Sequence, residues 1–382
     1  MKRIEQYILL FILIVCFVWG CTKPYNPKVI TTANNYLVVE GTINTGGDST
    51  MIKLSRTVNL TNDSTANPVS DATVAIQDDQ NDSYSLQSLN NGYYTSPVLN
   101  LGNTHKYRLS ITTSDGKVYL SDYVSPVATP AIDSVGYVVK SNGVQIYLNT
   151  HDPNNNTHYY HWDYVETWQF SAKYDSQYIS DGTQINYRTP AQDVYACYGN
   201  SISNNILLGS SAKLSQDVIY QAPITFISST SEKIEQRYSI LIKQSALTQD
   251  AYNYFQLLKQ NTEDLGSIFD AQPSASIGNL QNVNNPAEPV IGYISAGTVS
   301  QTRIFINRYT QLPQPYYVAY FDNDPYNQYS CNLDTGLPPA SAIWGLKPEI
   351  IAATGTDGSG YEPPACADCT LRGSSTKPSY WP

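Results

Sequence analysis

Residues 159–170 read YYHWDYVETWQF, and this stretch decides the fold class because aromatic and polar side chains alternate along it. Successive side chains of a β-strand point to opposite faces, so the even-numbered residues from Tyr160 to Phe170 share one face. That face is aromatic at every position except Glu166. We predict a long strand whose aromatic face forms a wall of a hydrophobic core, with Glu166 either hydrogen-bonded in that core or facing a pocket.

The composition of the whole chain is that of a β-rich protein. Charged residues make up 14% of the 382 residues, whereas tyrosine occurs 32 times. A typical globular domain has about 25% charged residues. The formal net charge is −10, and no block of basic residues occurs. Because binding to nucleic acid relies on clustered Lys and Arg, the sequence predicts no nucleic-acid partner.

Short alternating segments fill residues 36–124, with turn sequences such as Asn90-Asn91-Gly92 between them. We predict strands at 36–43, 49–57, 72–77, 84–86, 92–95, 106–112 and 117–124. This number and spacing of strands favours a small β-sandwich of the immunoglobulin-like or carboxypeptidase-regulatory-like kind.

A second β-rich unit follows, with further strands predicted at 144–150, 159–170, 218–227, 237–244, 290–296 and 302–308. One α-helix is predicted at about 248–260, because Thr248 can cap its start and Asp250 suits its first turn. Apolar residues then recur at helical spacing at Ala251, Tyr254, Phe255 and Leu258. The predicted fold is therefore mainly β, a sandwich followed by a β-rich domain that carries one helix.

The same patterns divide the chain into segments. We predict a lipoprotein signal peptide at 1–20, a tether at 21–34, a β-sandwich domain at 35–128, a β-rich domain with one helix at 129–310, and a segment rich in Cys, Pro and Gly at 311–382. The last segment is expected to be irregular, to be held by disulfides and to pack on the second domain.

The N-terminus predicts export. Lys2 and Arg3 precede an apolar run at 7–19, which ends at Gly20 and Cys21. A helix that spans a bilayer needs roughly 20 apolar residues, and this run is shorter. A small residue directly before a cysteine resembles the lipobox of bacterial lipoproteins, which predicts cleavage before Cys21 and lipid on that residue. An ordinary signal peptide and an uncleaved anchor are the alternatives.

Lipidation supplies more than one acyl chain, which makes membrane anchoring stable. Thr22 is not the aspartate that retains lipoproteins in the inner membrane, so we expect the outer membrane. Whether the protein faces the periplasm or the cell surface is left open.

Four further cysteines are expected to form disulfides in an oxidising envelope compartment: Cys197, Cys331, Cys366 and Cys369. Three pairings are possible, and the spacing does not choose among them. Cys366-x-x-Cys369 also fits a redox pair or half of a zinc site. The prolines before it argue against the helix that a thioredoxin-like pair needs, and no second close pair of cysteines exists for zinc.

Histidine and acidic residues gather at 151–166. His158 and His161 would point to opposite faces of one continuous strand, so no shared metal is predicted. His158, His161 and Glu166 are weak candidates for a pocket. No catalytic residue, metal or cofactor is assigned.

Two other patterns have a chemical interpretation. Acidic loops at Asp78, Asp79 and Asp82, and at Asp322 and Asp324, could bind Ca²⁺, with solvated turns as the favoured alternative. Ser210-Ser211-Ala212-Lys213 fits the Ser-x-x-Lys pattern of penicillin-recognising enzymes, but the two further elements of those enzymes are missing, which indicates a chance match.

Motifs in a characteristic order run along the mature chain. They are Leu37-Val38-Val39-Glu40-Gly41, Asn91-Gly92-Tyr93-Tyr94, Tyr107-Arg108-Leu109, Asp115-Gly116-Lys117-Val118-Tyr119, Leu247-Thr248-Gln249-Asp250-Ala251-Tyr252, Phe269-Asp270-Ala271-Gln272-Pro273-Ser274, Gly278-Asn279, Pro289-Val290-Ile291-Gly292-Tyr293, Cys366-Ala367-Asp368-Cys369 and Lys377-Pro378-Ser379-Tyr380-Trp381. Together they resemble the domain-of-unknown-function family 4249, lipoproteins of Bacteroidota. Gly373-Ser374-Ser375 in place of two glycines, and Tyr380 in place of Phe, depart mildly from the pattern.

The resemblance implies an accessory role in uptake, because members are often encoded beside outer-membrane receptors driven by TonB. It implies no particular activity and no particular ligand. Three hypotheses follow: a non-catalytic binding or accessory lipoprotein of a TonB-dependent receptor, an envelope hydrolase with a site built from loops, and a structural or adhesive surface lipoprotein. A structure with no cleft that gathers His158, Asp163 or Glu166 would count against the hydrolase.

Overall fold

The computed structural model describes residues 35–58, 67–180, 185–263, 278–313, 349–354, 358–362 and 364–382. The predicted signal peptide and tether, with Cys21, lie outside the described residues, as do Cys331, Asp322 and Asp324. The described chain is mainly β, as the sequence predicts. No helix in these ranges is long and apolar enough to cross a membrane.

The first unit contains strands that follow one another along the chain. They are β1 (Leu37–Asn44), β2 (Ser49–Arg56), β3 (Thr73–Asp78), β4 (Ser83–Ser88), β5 (Tyr93–Val98), β6 (Tyr107–Thr112) and β7 (Val118–Ser121). Alternate residues are buried, for example Val74 and Ile76 in β3. These side chains form one hydrophobic core, around which the sheet curls, and the predicted β-sandwich is confirmed.

The turn between β4 and β5 shows why the chain reverses where the sequence predicts. Asn90, Asn91 and Gly92 have positive φ angles of 71°, 48° and 79°. Asn and Gly adopt this left-handed conformation at the lowest cost. A Cβ atom on Gly92 would lie 2.2 Å from the main-chain oxygen of Leu54, so the close approach of the neighbouring chain also requires glycine there.

A later part of the chain completes the first unit. β17 (Leu280–Asn282) pairs with β7, and β18 (Ser295–Gly297) pairs in parallel with β1. The resulting sheet has the order β17-β7-β6-β3-β4-β5-β2-β1-β18. The strand predicted at 290–296 was assigned to the second unit, and that assignment is wrong. Val290 and Ile294 are buried in the core of the first unit instead.

The second unit is a pair of packed sheets. Its strands are β8 (Ile132–Lys140), β9 (Gly143–His151), β10 (Tyr159–Ser171), β13 (Ala196–Ile202), β14 (Leu207–Ser210), β15 (Val218–Ser228), β16 (Arg237–Ala246) and β19 (Val299–Asn307). One sheet has the order β13-β10-β16-β19, with β14 also paired to β10, and the other has the order β15-β9-β8.

The aromatic face of β10 lies between these sheets, as predicted. Tyr160 is fully buried and Trp162 is 2% exposed, and both pack with Ile146 and Leu148 of β9. The Trp162 indole nitrogen donates a hydrogen bond to Gln244 Oε1 at 2.8 Å. The row is therefore a core wall in which the polar atom of the tryptophan has a partner.

Helix α1 (Gln249–Thr262) confirms the predicted helix. The Thr248 hydroxyl accepts a hydrogen bond from the Ala251 main-chain nitrogen at 3.2 Å and caps its start. Ala251 and Tyr254 are buried. The Tyr254 ring lies 5.5 Å from the ring of Tyr293, so the helix contacts the segment that returns to the first unit.

The C-terminal segment is more regular than expected. β20 (Glu349–Thr354) and β21 (Gly358–Glu362) pair with each other, and β20 pairs with β11 (Tyr178–Ser180), which pairs with β12 (Ile185–Tyr187). Backbone ladders therefore order a part that composition alone marks as irregular. Two short helices, α2 (Arg308–Gln311) and α3 (Pro364–Ala367), and 3₁₀ turns at Pro190–Gln192, Glu232–Ile234 and Cys369–Leu371 complete the described elements.

Ile294→Ala tests whether the returning segment holds the first unit together. Ile294 is fully buried, so we expect the free energy of unfolding to fall by about 2–5 kcal/mol. Val283→Ala, at a position 49% exposed in the same segment, is the matched control and should change it by less than about 0.5 kcal/mol. Denaturant unfolding measures both. If both variants lost the same small amount of unfolding free energy, the returning segment would not be closing the core.

Candidate functional site

Glu166 is a core residue and not a pocket residue. Its side chain is 2% exposed, Tyr238 Oη donates to its Oε1 at 2.8 Å, and Lys233 Nζ lies 2.5 Å from its Oε2. Burial, together with the negative charge of Glu166, raises the pKa of Tyr238 well above its usual value, so the phenol keeps its proton. The hydrogen-bonded alternative of the sequence analysis is the one that the structure shows.

His158 and His161 lie in separate environments. His158 Nδ1 is 3.2 Å from Ser211 Oγ. The His161 ring stacks on Phe255 of helix α1 at 5.1 Å, and its Nδ1 is 3.4 Å from Asp163. In the described part of the chain, no three His, Cys, Asp or Glu side chains come together as a metal site would require.

The structure reveals one buried acid that the sequence analysis did not single out. Asp217 is 1% exposed and accepts hydrogen bonds from Tyr160 Oη and Ser211 Oγ. Burial and the neighbouring Asp217 charge raise the pKa of Tyr160. No motif marks Asp217, because one partner, Tyr160, comes from the distant strand β10, and the other, Ser211, lies six residues away in the connection after β14.

The contact between His158, Ser211 and Asp217 is not a hydrolase triad. In such a triad the histidine lies between serine and acid and takes the serine proton. Here the serine lies between the other two, donates its proton to the carboxylate and is fully buried. The arrangement is suited to holding loops together rather than to attack on a substrate.

The remaining acidic and Ser-x-x-Lys patterns also have local structural roles. The Asp78 carboxylate accepts hydrogen bonds from the main-chain nitrogens of Gln80 and Asp82, at 2.9 Å and 2.8 Å, as in an Asx turn. Ser210 Oγ accepts one from the nitrogen of Ala212. These oxygens stabilise turns, in line with the favoured alternative.

The C-terminal tail, residues 366–382, is fixed to the second unit. Cys369 forms a disulfide with Cys197 of β13, with the two Cα atoms 5.7 Å apart. Cys366 is disulfide-bonded as well, so the Cys-x-x-Cys pair is not a redox pair. Arg372 forms an ion pair with Glu232, and burial lowers the pKa of Arg372 to about 10. The tail is therefore a structural part of the second unit.

The tail covers one end of the outer face of the larger sheet and leaves a cavity of about 230 Å³ there, which we call the Trp381 cavity. Its lining residues are Gln169, Tyr198, Gln236, Arg237, Asn307, Tyr309, Lys377, Trp381 and Pro382. Tyr198, Gln169, Arg237 and Asn307 are successive partners across β13, β10, β16 and β19. One cross-strand row therefore forms the floor, and the tail forms the opposite side.

Trp381 is the most buried of the tail residues that line the cavity. Its side chain is 5% exposed, and its ring meets the rings of Tyr198 and Phe305 edge-on, at 5.2 Å and 5.5 Å. The guanidinium carbon of Arg303 lies 3.8 Å from the centre of the neighbouring Tyr380 ring. The hydroxyl groups of Tyr380 and Thr167 form a hydrogen bond. The indole nitrogen of Trp381 is buried and has no hydrogen-bond partner in the described structure.

The polar groups of the Trp381 cavity are mostly donors. Lys377 Nζ and Arg237 Nη1 both donate to an oxygen of the terminal carboxylate of Pro382, at 3.1 Å and 3.3 Å. None of the described lining residues is Asp or Glu. In a chain with a net charge of −10, this cavity places two cations beside a single carboxylate, that of Pro382, which leaves one positive charge unmatched. Burial raises the pKa of Tyr198, so its hydroxyl stays protonated near neutral pH.

A second cavity, of about 510 Å³, lies beside the start of the described chain. It is lined by Asn35, Tyr36, Arg56, Ser114, Asp115, Lys117 and Glu288. Its charges are matched, since Lys117 Nζ lies 2.9 Å from Glu288 Oε2. Neither of these two cavities is lined by His158, Asp163 or Glu166.

Sequence reasoning missed the Trp381 cavity, although two signals bore on it. The alternation in β10 places Gln169 on the face opposite the core, but it does not say what covers that face. The motif Lys377–Trp381 was noted only as part of the family resemblance. Predicting that this motif covers the outward face of β10 requires knowing where the tail lies in the folded chain.

Comparisons with known proteins add a family and little more. A family model described as "Domain of unknown function (DUF4249)" matches residues 22–303. No curated protein matches the chain. Among solved structures, a segment of two fibronectin type III domains from chicken tenascin is 9% identical, covering 55% of this chain and 97% of that chain, with a TM-score of 0.17.

A second similar structure is described as manganese lipoxygenase of Gaeumannomyces graminis with part of a zonadhesin of Komagataella pastoris. It is 12% identical and covers 56% of this chain and 89% of that chain, with a TM-score of 0.17. At such TM-scores neither likeness carries an argument about function.

Peptide mapping without reduction tests the attachment of the tail. After cleavage on the N-terminal side of Asp368, which separates Cys366 from Cys369, we expect a linked pair of peptides that contains Cys197 and Cys369, because the structure bonds these two residues across 172 positions. Reduction should separate the pair, and the reduced sample is the control. A bond between Cys366 and Cys369 would contradict the structure.

Lys233→Met tests the role of Glu166. The change leaves a carboxylate that is 2% exposed without its cation, and we expect a loss of about 2–4 kcal/mol in the free energy of unfolding. Because Lys233 itself is 29% exposed, this range lies below that for a fully buried pair.

The double variant Glu166→Gln/Lys233→Met should recover most of this stability, since glutamine is neutral and still accepts from Tyr238. Lys213→Met, at an exposed position, is the control. Thermal and denaturant unfolding measure all three proteins. A single variant as stable as the control would show that the ion pair is dispensable.

Proposed function

We propose that this chain, which belongs to the DUF4249 family, is a lipid-anchored, non-catalytic binding subunit that serves a TonB-dependent receptor of the outer membrane. Its N-terminal sequence, with an apolar run that ends at Gly20-Cys21, supports the anchor. Members of this family are often encoded beside such receptors, and this supports the proposed partner.

The observation that carries the proposal is the Trp381 cavity. It presents an Arg, a Lys, three side-chain amides and three aromatic rings, which are groups that hold a ligand by hydrogen bonds, charge and stacking. A reaction would need a nucleophile or a general acid–base pair at hydrogen-bond distance. The buried acids Glu166 and Asp217 are instead occupied by structural partners elsewhere. Binding is therefore the function that the described groups support best.

The anchor sets where such a subunit can work. The first strand begins at Leu37, sixteen residues after Cys21. A fully extended chain spans at most about 3.5 Å per residue, so the body stands no more than about 55 Å from the membrane surface. A ligand held by the second unit is thereby kept close to receptors in the same membrane.

Affinity isolation from native membranes tests this proposal. The full-length protein carries a tag inserted between Asn103 and Thr104, an exposed turn away from the Trp381 cavity. After gentle solubilisation, we expect mass spectrometry to find a TonB-dependent receptor in near-stoichiometric amount.

Cys21→Ser is the control, because it removes the residue that carries the lipid and should release the protein from the membrane fraction. Recovery of the wild-type protein without any outer-membrane transporter would refute the proposed partner. A wild-type protein that stays soluble would refute the anchor.

A further inference from the structure

We infer that the Trp381 cavity binds a small sugar acid, that is, a molecule of monosaccharide size with one carboxylate and several hydroxyl groups. This inference rests on the proposed binding function and names the class of its ligand. Its support comes from the size of the cavity, an unused buried donor, the placement of two cations, and the amide and aromatic groups around them.

The size of the cavity indicates what part of a ligand it can hold. Its volume of about 230 Å³ lies below the roughly 300–1,000 Å³ of clefts that hold drug-sized ligands. Liquid water takes about 30 Å³ per molecule, so the space corresponds to several waters rather than to one. A single sugar ring is of this order.

Trp381 supplies an unused hydrogen-bond donor. Its side chain is 95% buried, it lines the cavity, and its indole nitrogen has no partner in the described structure. Buried polar groups in native proteins nearly always have partners, so an exception next to a cavity points to a missing acceptor. An indole N–H can only donate, and the ligand must therefore carry an acceptor oxygen.

Arg237 and Lys377 indicate the charge of the ligand. Both donate to one oxygen of the terminal carboxylate of Pro382, which brings their side chains together and offsets one of their two positive charges. Arg has five N–H donors and Lys has three, so this single acceptor uses only part of their capacity. No described acidic side chain lines the cavity. A carboxylate matches the planar fork of Arg and would receive charge-assisted hydrogen bonds from both cations.

The remaining groups favour a sugar acid over a simple anion. Gln169, Gln236 and Asn307 each offer a donor and an acceptor, which suits hydroxyl groups. The ring of Tyr309, which is 62% exposed, offers apolar surface with a polar tip, which suits the mixed face of a sugar. Inorganic phosphate would use the cations and leave these amides and this ring without a role.

Isothermal titration calorimetry of the lipidated full-length protein in detergent tests the inference. D-glucuronate is the probe, and D-glucose and inorganic phosphate are the comparison ligands. We expect saturable binding of glucuronate, with glucose and phosphate each at least tenfold weaker. Raising the salt concentration should weaken glucuronate binding, because part of it is electrostatic.

Three variants locate the site. Lys377→Gln, at an exposed position, and Arg237→Gln should each weaken glucuronate binding about tenfold or more. Trp381→Phe keeps an aromatic ring but removes the indole N–H. It should weaken binding several-fold, because the donor that would pair with the ligand is lost. The smaller ring also loses packing against Tyr198 and Phe305, so thermal unfolding is used to show that the variant is folded at the temperature of the titration. Lys213→Gln, exposed and remote from the cavity, is the control and should bind like the wild-type protein.

The inference is overturned by absence of saturable glucuronate binding to the folded wild-type protein, by equal binding of glucose or phosphate, or by wild-type affinity in Lys377→Gln. The receptor isolation has a separate outcome. A recovered receptor without glucuronate binding overturns the ligand class alone, and glucuronate binding without a receptor overturns the proposed partner alone.

Discussion

The pairing of β10 with β16 is the constraint on which the second unit depends. It runs through ten residue pairs, from Tyr160 with Ala246 to Gln169 with Arg237. Because side chains alternate with a period of two, a slip of one residue would carry the aromatic row outward and turn Gln169 inward. One register therefore fixes the hydrophobic core on one face and the floor of the Trp381 cavity on the other.

Tyrosine links the composition of the chain to its buried charges. A buried carboxylate is costly unless donors surround it. Tyr238 donates to Glu166, Tyr160 to Asp217 and Tyr119 to Glu288. Each phenol fills core volume with its ring and meets an acid with its hydroxyl. Lysine completes two of these sites, with Lys233 at Glu166 and Lys117 at Glu288, whereas Asp217 accepts from the hydroxyl groups of Tyr160 and Ser211.

Local patterns predicted the elements, and distant contacts decided what they form. Alternation identified β10 and most strands of the first unit, and Thr248 with the helical spacing identified α1. The return of β18 to β1 was missed, because parallel pairing between distant segments leaves no local signal. The Cys197–Cys369 bond was one of several equal choices, and the Trp381 cavity draws its lining from separate strands and the tail. These features become visible only once the chain is folded.

The return of β18 also sets an order of assembly. A ribosome delivers the chain from its N-terminus, so β1 exists long before Ser295–Gly297, the strand that covers its edge. Until then that edge is an open template for pairing with other chains. Maturation of the first unit is consequently a late event that waits for most of the second. The sheet of the first unit therefore cannot be completed until nearly 300 residues have been made.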